Sequence, residues 1–185
     1  VLSAALDRPW LGCQLRLKTL PSAHQRDLLL ALGPLTGAVL LNGDPTLADR
    51  CPGVHWTEAR LHTATRAERP TTASVHDPKG AALAAHLGVG ALVFAPVWSP
   101  GSKTAPARGL DALAELCRAT SLPVFALGGL NPQRAPAALG AGAAGVATLS
   151  ALREQPDPSE LIDALHAEVV QATGDAISPR QTLPR

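Results

Sequence analysis

The sequence contains no methionine and no tyrosine, and aromatic residues make up only 3% of its 185 positions. A core built on large rings is therefore excluded, and the 46% hydrophobic share must be carried by Ala, Leu and Val. That share also excludes a disordered chain and suffices for one buried core. Charge is sparse, at 17% of residues, against about 25% for an average soluble domain. Sixteen basic side chains against fifteen acidic ones leave a net charge of +1. No field of one sign recruits nucleic acid or an anionic membrane, so neither is expected as a partner. No apolar run approaches the ~18 residues of a membrane span. The stretch 1–6 lacks the basic start and cleavage pattern of a secretory signal. Cysteine is scarce as well. Cys13, Cys51 and Cys117 are odd in number, far apart and without C-x-x-C spacing. This argues against a disulfide scaffold and structural zinc, and for a reducing, cytoplasmic setting.

What is present is an alternation. Short Val/Leu-rich runs fall at 13–17, 38–42, 53–56, 72–76, 91–97, 124–128 and 146–150. Several are continuous rather than alternating, the pattern of strands covered on both faces. Between them, stretches of helical period are expected at 22–32, 78–87, 110–118, 132–139 and 158–171, with Ser22, Asp77 and Asn131 as caps. Regular βα alternation implies a parallel sheet with helices outside it, and the spacing fits a (β/α)8 TIM barrel better than an open sheet. Seven strands are recognisable where eight are needed, and the first is the one missing. A barrel takes about 250 residues and at least about 200, so the gap is expected to be filled by further chain or covered by a partner, such as a homo-oligomer. One domain is expected over residues 1–172, followed by a flexible tail at 173–185 that holds two prolines and no apolar period.

In parallel α/β folds the working residues gather where strands run into loops. Gln14, Arg16 and Lys18, spaced by two, face one side of the first recognisable strand. They form either a solvated strand end or a polar ring in a barrel mouth. Asn42-Gly43-Asp44 ends the next strand, although Asn-Gly is also a common turn pair. Ser74 and His76 share a face further on. A lone histidine there is more often a structural imidazole than a base, and His55 stands no better. The loop 95–103 carries two hydroxyls, a glycine and Lys103, groups that suit a phosphate. Gly128-Gly129 and Leu149-Ser150 end the strands that would be seventh and eighth. Barrels often hold phosphate there, on backbone N–H groups that glycine leaves accessible.

In order and at matching spacing, Gln14-Leu15-Arg16-Leu17-Lys18, Gly53-Val54-His55, Ser74-Val75-His76, Pro96-Val97-Trp98 with Lys103, Ala126-Leu127-Gly128-Gly129-Leu130, and Gly145-Val146-Ala147 with Ser150 resemble the thiamine phosphate synthase/TenI superfamily. The resemblance spans roughly residues 10–172. It implies a barrel whose mouth binds a thiazole phosphate, with the phosphate on the backbone of Gly128, Gly129, Leu149 and Ser150. It also implies that Gln14, Arg16, Lys18, Asn42 and Ser102 contact substrate, and that His76, Ser74 and Lys103 are the catalytic candidates.

The family runs two chemistries. The synthase joins a pyrimidine pyrophosphate to the thiazole phosphate, and needs Mg²⁺ at the departing pyrophosphate. Its metal-binding Asp positions read Gly43 and Arg60 here, with Asp44 and Glu58 as nearby carboxylates. Glycine offers no ligand atom and a guanidinium repels a dication. The other chemistry is the TenI-like thiazole tautomerase, which moves a proton without a metal. Its usual acid/base histidine on the sixth strand reads Pro96. The resemblance therefore implies a tautomerase with no cofactor and no metal site, with His76 as the stand-in base. The synthase, which would need Mg²⁺, is the alternative, and a non-catalytic module binding thiazole or thiamine phosphate is a third reading.

Overall fold

Every apolar run expected as a strand forms one, and all pair in parallel. The computed structural model describes residues 8, 10–99, 106–155 and 157–174. Strands β1 (Cys13–Arg16), β2 (Val39–Asn42), β3 (Gly53–Trp56), β4 (Thr71–Val75), β5 (Ala91–Phe94), β6 (Val124–Leu127) and β7 (Gly145–Ala147) lie in the sheet in chain order. Among the described residues β1 and β7 each have a neighbour on one side only. The sheet is a seven-stranded, curled half-barrel of the TIM-barrel type, as the strand count predicts. Around it run α1 (Ser22–Leu32), α2 (Glu58–Leu61), α3 (Pro78–His86), α4 (Gly109–Ala119), α5 (Ala135–Gly140), α6 (Ser150–Arg153), α7 (Ser159–Thr173) and a 3₁₀ turn at Pro45–Arg50.

The departures have local causes. Asp77 caps α3 as expected, its carboxylate accepting from the Gly80 amide at 2.7 Å, with Pro78 at the first helical position. Ser22 caps nothing; its hydroxyl bonds to the Asp44 carboxylate instead. Asn131 closes a turn onto the Arg134 amide at 3.0 Å, so α5 begins at Ala135 rather than Pro132. Strand β5 stops at Phe94, three residues early, because Pro96 has no N–H to donate. The run at 146–150 does not end as a strand: β7 stops at Ala147, and Ser150 opens α6. Helix α7 continues to Thr173 and ends on Gly174 at φ 71°, so residues 173–174 are the helix end rather than tail. The rest of the expected tail lies outside the described residues.

Alternation along the strands separates two faces. Ala73, Val75, Leu92, Phe94 and Ala126 are fully buried against Ala81, Ala84, Leu113 and Leu116 of the helices. Small alanines let helix and sheet approach closely, which compensates for the scarcity of rings. Each buried Leu or Phe stabilises by roughly 1.5–3 kcal/mol. A second cluster of Leu17, Leu29, Leu41, Leu47, Cys51 and Val54 lies under β1–β3. The opposite face carries Gln14, Asn42, His55, Thr72 and Ser74, the inside of the half-barrel. Arg8 pairs with Asp163 at 2.9 Å, and the Trp10 ring stacks on His166 at 3.7 Å. These contacts set α7 beside the approach to β1. All three cysteines are free thiols, and among the described residues no helix is long and apolar enough to cross a membrane.

Candidate functional site

Strands β1 to β4 carry two hydrogen-bonded polar groups at the mouth, Gln14–Asn42 and His55 with Thr72 and Ser74. Asn42, nearly fully buried, donates through Nδ2 to Gln14 Oε1 at 3.2 Å, while its carbonyl accepts from the amides of Leu17 and Lys18. His55 is buried with both ring nitrogens engaged: Nδ1 lies 2.8 Å from Thr72 Oγ1 and Nε2 lies 2.9 Å from Ser74 Oγ. Burial, and then the nearby Lys18 ammonium, lower its pKa to about 4, so the ring is neutral near pH 7. Arg16 and Lys18 are exposed on the same face. The structure thus brings Gln14, Arg16, Lys18, Asn42 and Ser74 to one mouth.

At the end of β2, the space beside Gly43 is taken by Gln25. A Cβ there would collide with Gln25 Oε1 and lie 3.2 Å from Leu41 Cδ1. Gln25, 4% exposed on α1, donates to the Leu20 carbonyl at 2.8 Å and accepts from the Asp44 amide at 2.7 Å. Its amide therefore fills the space of a residue-43 side chain and clasps two mouth loops together. The Asp44 carboxylate turns away to cap the 3₁₀ turn, accepting from Thr46 N and Oγ1 at 2.8 and 2.7 Å. Bonds to Ser22 and Thr46 lower its pKa. Glu58, the other carboxylate of interest, faces His76 with its Oε2 3.5 Å from Nε2. Arg60 lies over the Trp56 ring at 5.9 Å. No group of three His, Cys, Asp or Glu among the described residues offers a donor set for a metal ion. At this corner Gly43 offers no donor atom, and the Asp44 carboxylate is engaged in the cap.

The Gln25–Gly43 interlock has a direct consequence. Gly43→Ala is expected to cost about 1–3 kcal/mol by overpacking, but much less once Gln25→Ala has removed the obstacle. Urea unfolding of the two single variants and the double variant should give a coupling of about 1 kcal/mol or more. Additive losses would show that the two side-chain positions do not compete.

His76 follows β4 directly. Its carbonyl accepts from Arg108 Nη1 at 3.2 Å, which holds the backbone in place, and its Nδ1 is buried with no partner among the described residues. On the other side of the mouth, Gly128 and Gly129 take φ of 105° and 63°, in the left-handed region that favours glycine. A Cβ on Gly128 would come within 2.7 Å of the Pro96 backbone. The Gly129 carbonyl accepts from Arg134 Nη1 at 2.8 Å, and the Arg134 guanidinium lies 5.4 Å over the Trp98 ring. Leu149 and Ser150 are exposed where β7 turns into α6. The amides of Gly129, Leu149 and Ser150 donate to none of the described residues. Such backbone N–H groups suit an anion. Ser102 and Lys103 lie outside the described residues.

Sequence spacing missed Gln25 and Arg134, read Glu58 only as a spare carboxylate, and gave His55 too little weight. Gln25 reads as one polar residue on an amphipathic helix, and only its contact with Gly43 reveals its role. For His55, the clue was the matching period-two hydroxyls of Thr72 and Ser74 on the next strand.

A family model described as thiamine monophosphate synthase matches residues 1–152. The chain belongs to this family. Membership makes the chain an enzyme of thiamine biosynthesis within the thiamine phosphate synthase/TenI superfamily. A Geobacter sulfurreducens protein, provisionally named a thiamine-phosphate synthase, is 39% identical over 175 residues, covering 88% of this chain and 82% of that protein. The thiamine-phosphate synthase of Roseiflexus sp. strain RS-1 is 34% identical over 185 residues, covering 93% of this chain and 78% of that protein. A solved thiamine phosphate pyrophosphorylase from Pyrococcus furiosus shares the fold, with TM-score 0.77 and 23% identity over 94% of this chain and 89% of that one.

Proposed function

We propose that the chain binds a thiazole phosphate and moves a proton on it without a metal, as a TenI-like thiazole tautomerase. The observation that carries this reading is the corner at Gly43. The space for a ligand side chain is filled by Gln25, Asp44 is spent on a cap, and Glu58 faces an imidazole. The phosphate would rest on the amides of Gly129, Leu149 and Ser150, near Arg134. The ring would then face Ser74 and His76 across the mouth. Aromatisation removes a proton from a ring carbon and returns one elsewhere on the ligand, so the net change is the transfer of one proton. Proline at 96 cannot carry that proton, whereas His76 has a nitrogen without a partner among the described residues and Ser74 a hydroxyl backed by His55.

A second reading, thiamine phosphate synthase, is favoured by the retention of Arg16, Lys18 and Asn42 and by the names of the relatives. The test uses pure protein in a metal chelator with carboxythiazole phosphate, followed by proton NMR. The tautomerase reading expects isomerisation at an unchanged rate in chelator, and no turnover overturns it. Formation of thiamine phosphate from the two precursors at millimolar Mg²⁺ would establish the synthase instead. Calorimetric binding with neither turnover would indicate a non-catalytic module.

A further inference from the structure

The pair Glu58–His76 stands apart from the rest of the mouth. The two residues come from different βα units, Glu58 in the first turn of α2 and His76 just after β4. Glu58 Oε2 lies 3.5 Å from His76 Nε2, and the opposite ring nitrogen, Nδ1, is buried without a partner among the described residues. The backbone under the ring is pinned on both sides. Arg108 holds the His76 carbonyl at 3.2 Å, and the next residue, Asp77, is fixed by its bond to the Gly80 amide. The backbone that carries the ring is therefore set by the fold, while tautomer choice is left to the ring's own contacts. A carboxylate beside one imidazole nitrogen favours the proton on that nitrogen and leaves a lone pair on the other. At 3.5 Å the contact is longer than a closed hydrogen bond, and such pairs commonly tighten only when ligand is bound.

We infer that Glu58 is a positioning residue that holds His76 as the Nε2–H tautomer and leaves the lone pair on Nδ1. Any effect of this pair on turnover rests on the tautomerase reading; the tautomer itself does not.

The experiment is a two-bond nitrogen–proton NMR spectrum of the ligand-free, uniformly ¹⁵N-labelled protein at about pH 9, where an ordinary imidazole of pKa ~6.5 is neutral. The His76 signals are identified by their loss in His76→Ala. The expected spectrum shows Nε2 as the protonated nitrogen and Nδ1 as the bare one. Glu58→Ala should shift His76 to a mixture of tautomers and lower kcat about 10- to 100-fold with KM little changed. Glu58→Gln, whose amide oxygen still accepts from Nε2–H, should restore the tautomer and part of the rate. A wild-type spectrum with the proton on Nδ1, or one that Glu58→Ala leaves unchanged, overturns the inference. The expected spectrum in a protein that isomerises nothing would uphold the pair and overturn the tautomerase reading alone.

Discussion

Gly129→Asp is expected to abolish binding of the thiazole phosphate. The backbone at 129 has φ 63°, and an added Cβ would lie 2.9 Å from Trp98 Cβ and 3.0 Å from Arg134 Nη1. The left-handed conformation alone costs a non-glycine residue about 1–2 kcal/mol. The new carboxylate would also stand where the phosphate rests. Two like charges about 4 Å apart near a protein surface repel by about 4 kcal/mol, a loss on the order of 1,000-fold. The same carboxylate would draw Arg134, so the site would lose a cation while gaining an anion. Gly129→Ala separates the causes, since it keeps the crowding and adds no charge; it should weaken binding far less. Calorimetric titration with hydroxyethylthiazole phosphate reads both. An Asp variant that binds as tightly as the parent would show that the phosphate lies elsewhere.

Acid should destabilise the fold through His55. Its pKa falls from an unperturbed 6.5 to about 4 on folding, because burial and the Lys18 charge disfavour the imidazolium. Between these two values the unfolded chain binds more protons than the folded one, so stability rises with pH. The stability is complete above about 6.5 and is lost progressively as pH falls to about 4. The fall amounts to about 3 kcal/mol at 1.36 kcal/mol per pKa unit. Urea unfolding midpoints at pH 7.5 and 4.5 should differ accordingly, and His55→Gln should remove most of that difference. An equal pH response in His55→Gln would place the acid sensitivity in other groups. Near pH 7 the neutral ring bonds both Thr72 and Ser74, so it fixes the Ser74 hydroxyl without adding a charge.

The strands were readable because β2, β5 and β6 are largely continuous apolar runs, and the Asp77-Pro78 cap is a local signal that tertiary contacts did not override. The run at 146–150 misled for the converse reason. Hydrophobicity continues through Leu149, but the backbone there bends to φ −133° and ψ −56° and starts α6. The polar set of Gln14, Arg16, Lys18 and Asn42 was legible from period-two spacing. What spacing could not convey is the use each group is put to. Asp44 and Glu58 look alike as spare carboxylates in the sequence, yet one caps a turn and the other faces His76. Gly43 reads as a lost ligand until Gln25, from another element, is seen to occupy its space. Such contacts join residues distant in the chain, and no local period encodes them.

The most direct measurement is a crystal structure with hydroxyethylthiazole phosphate grown at millimolar Mg²⁺. The expected result places the phosphate on the amides of Gly129, Leu149 and Ser150 and the ring against Ser74 and His76, with Gln25 still filling the corner at Gly43. A Mg²⁺ ion bound at Gly43-Asp44 with Gln25 displaced, or a phosphate seated away from Gly129, would contradict a metal-free thiazole phosphate site.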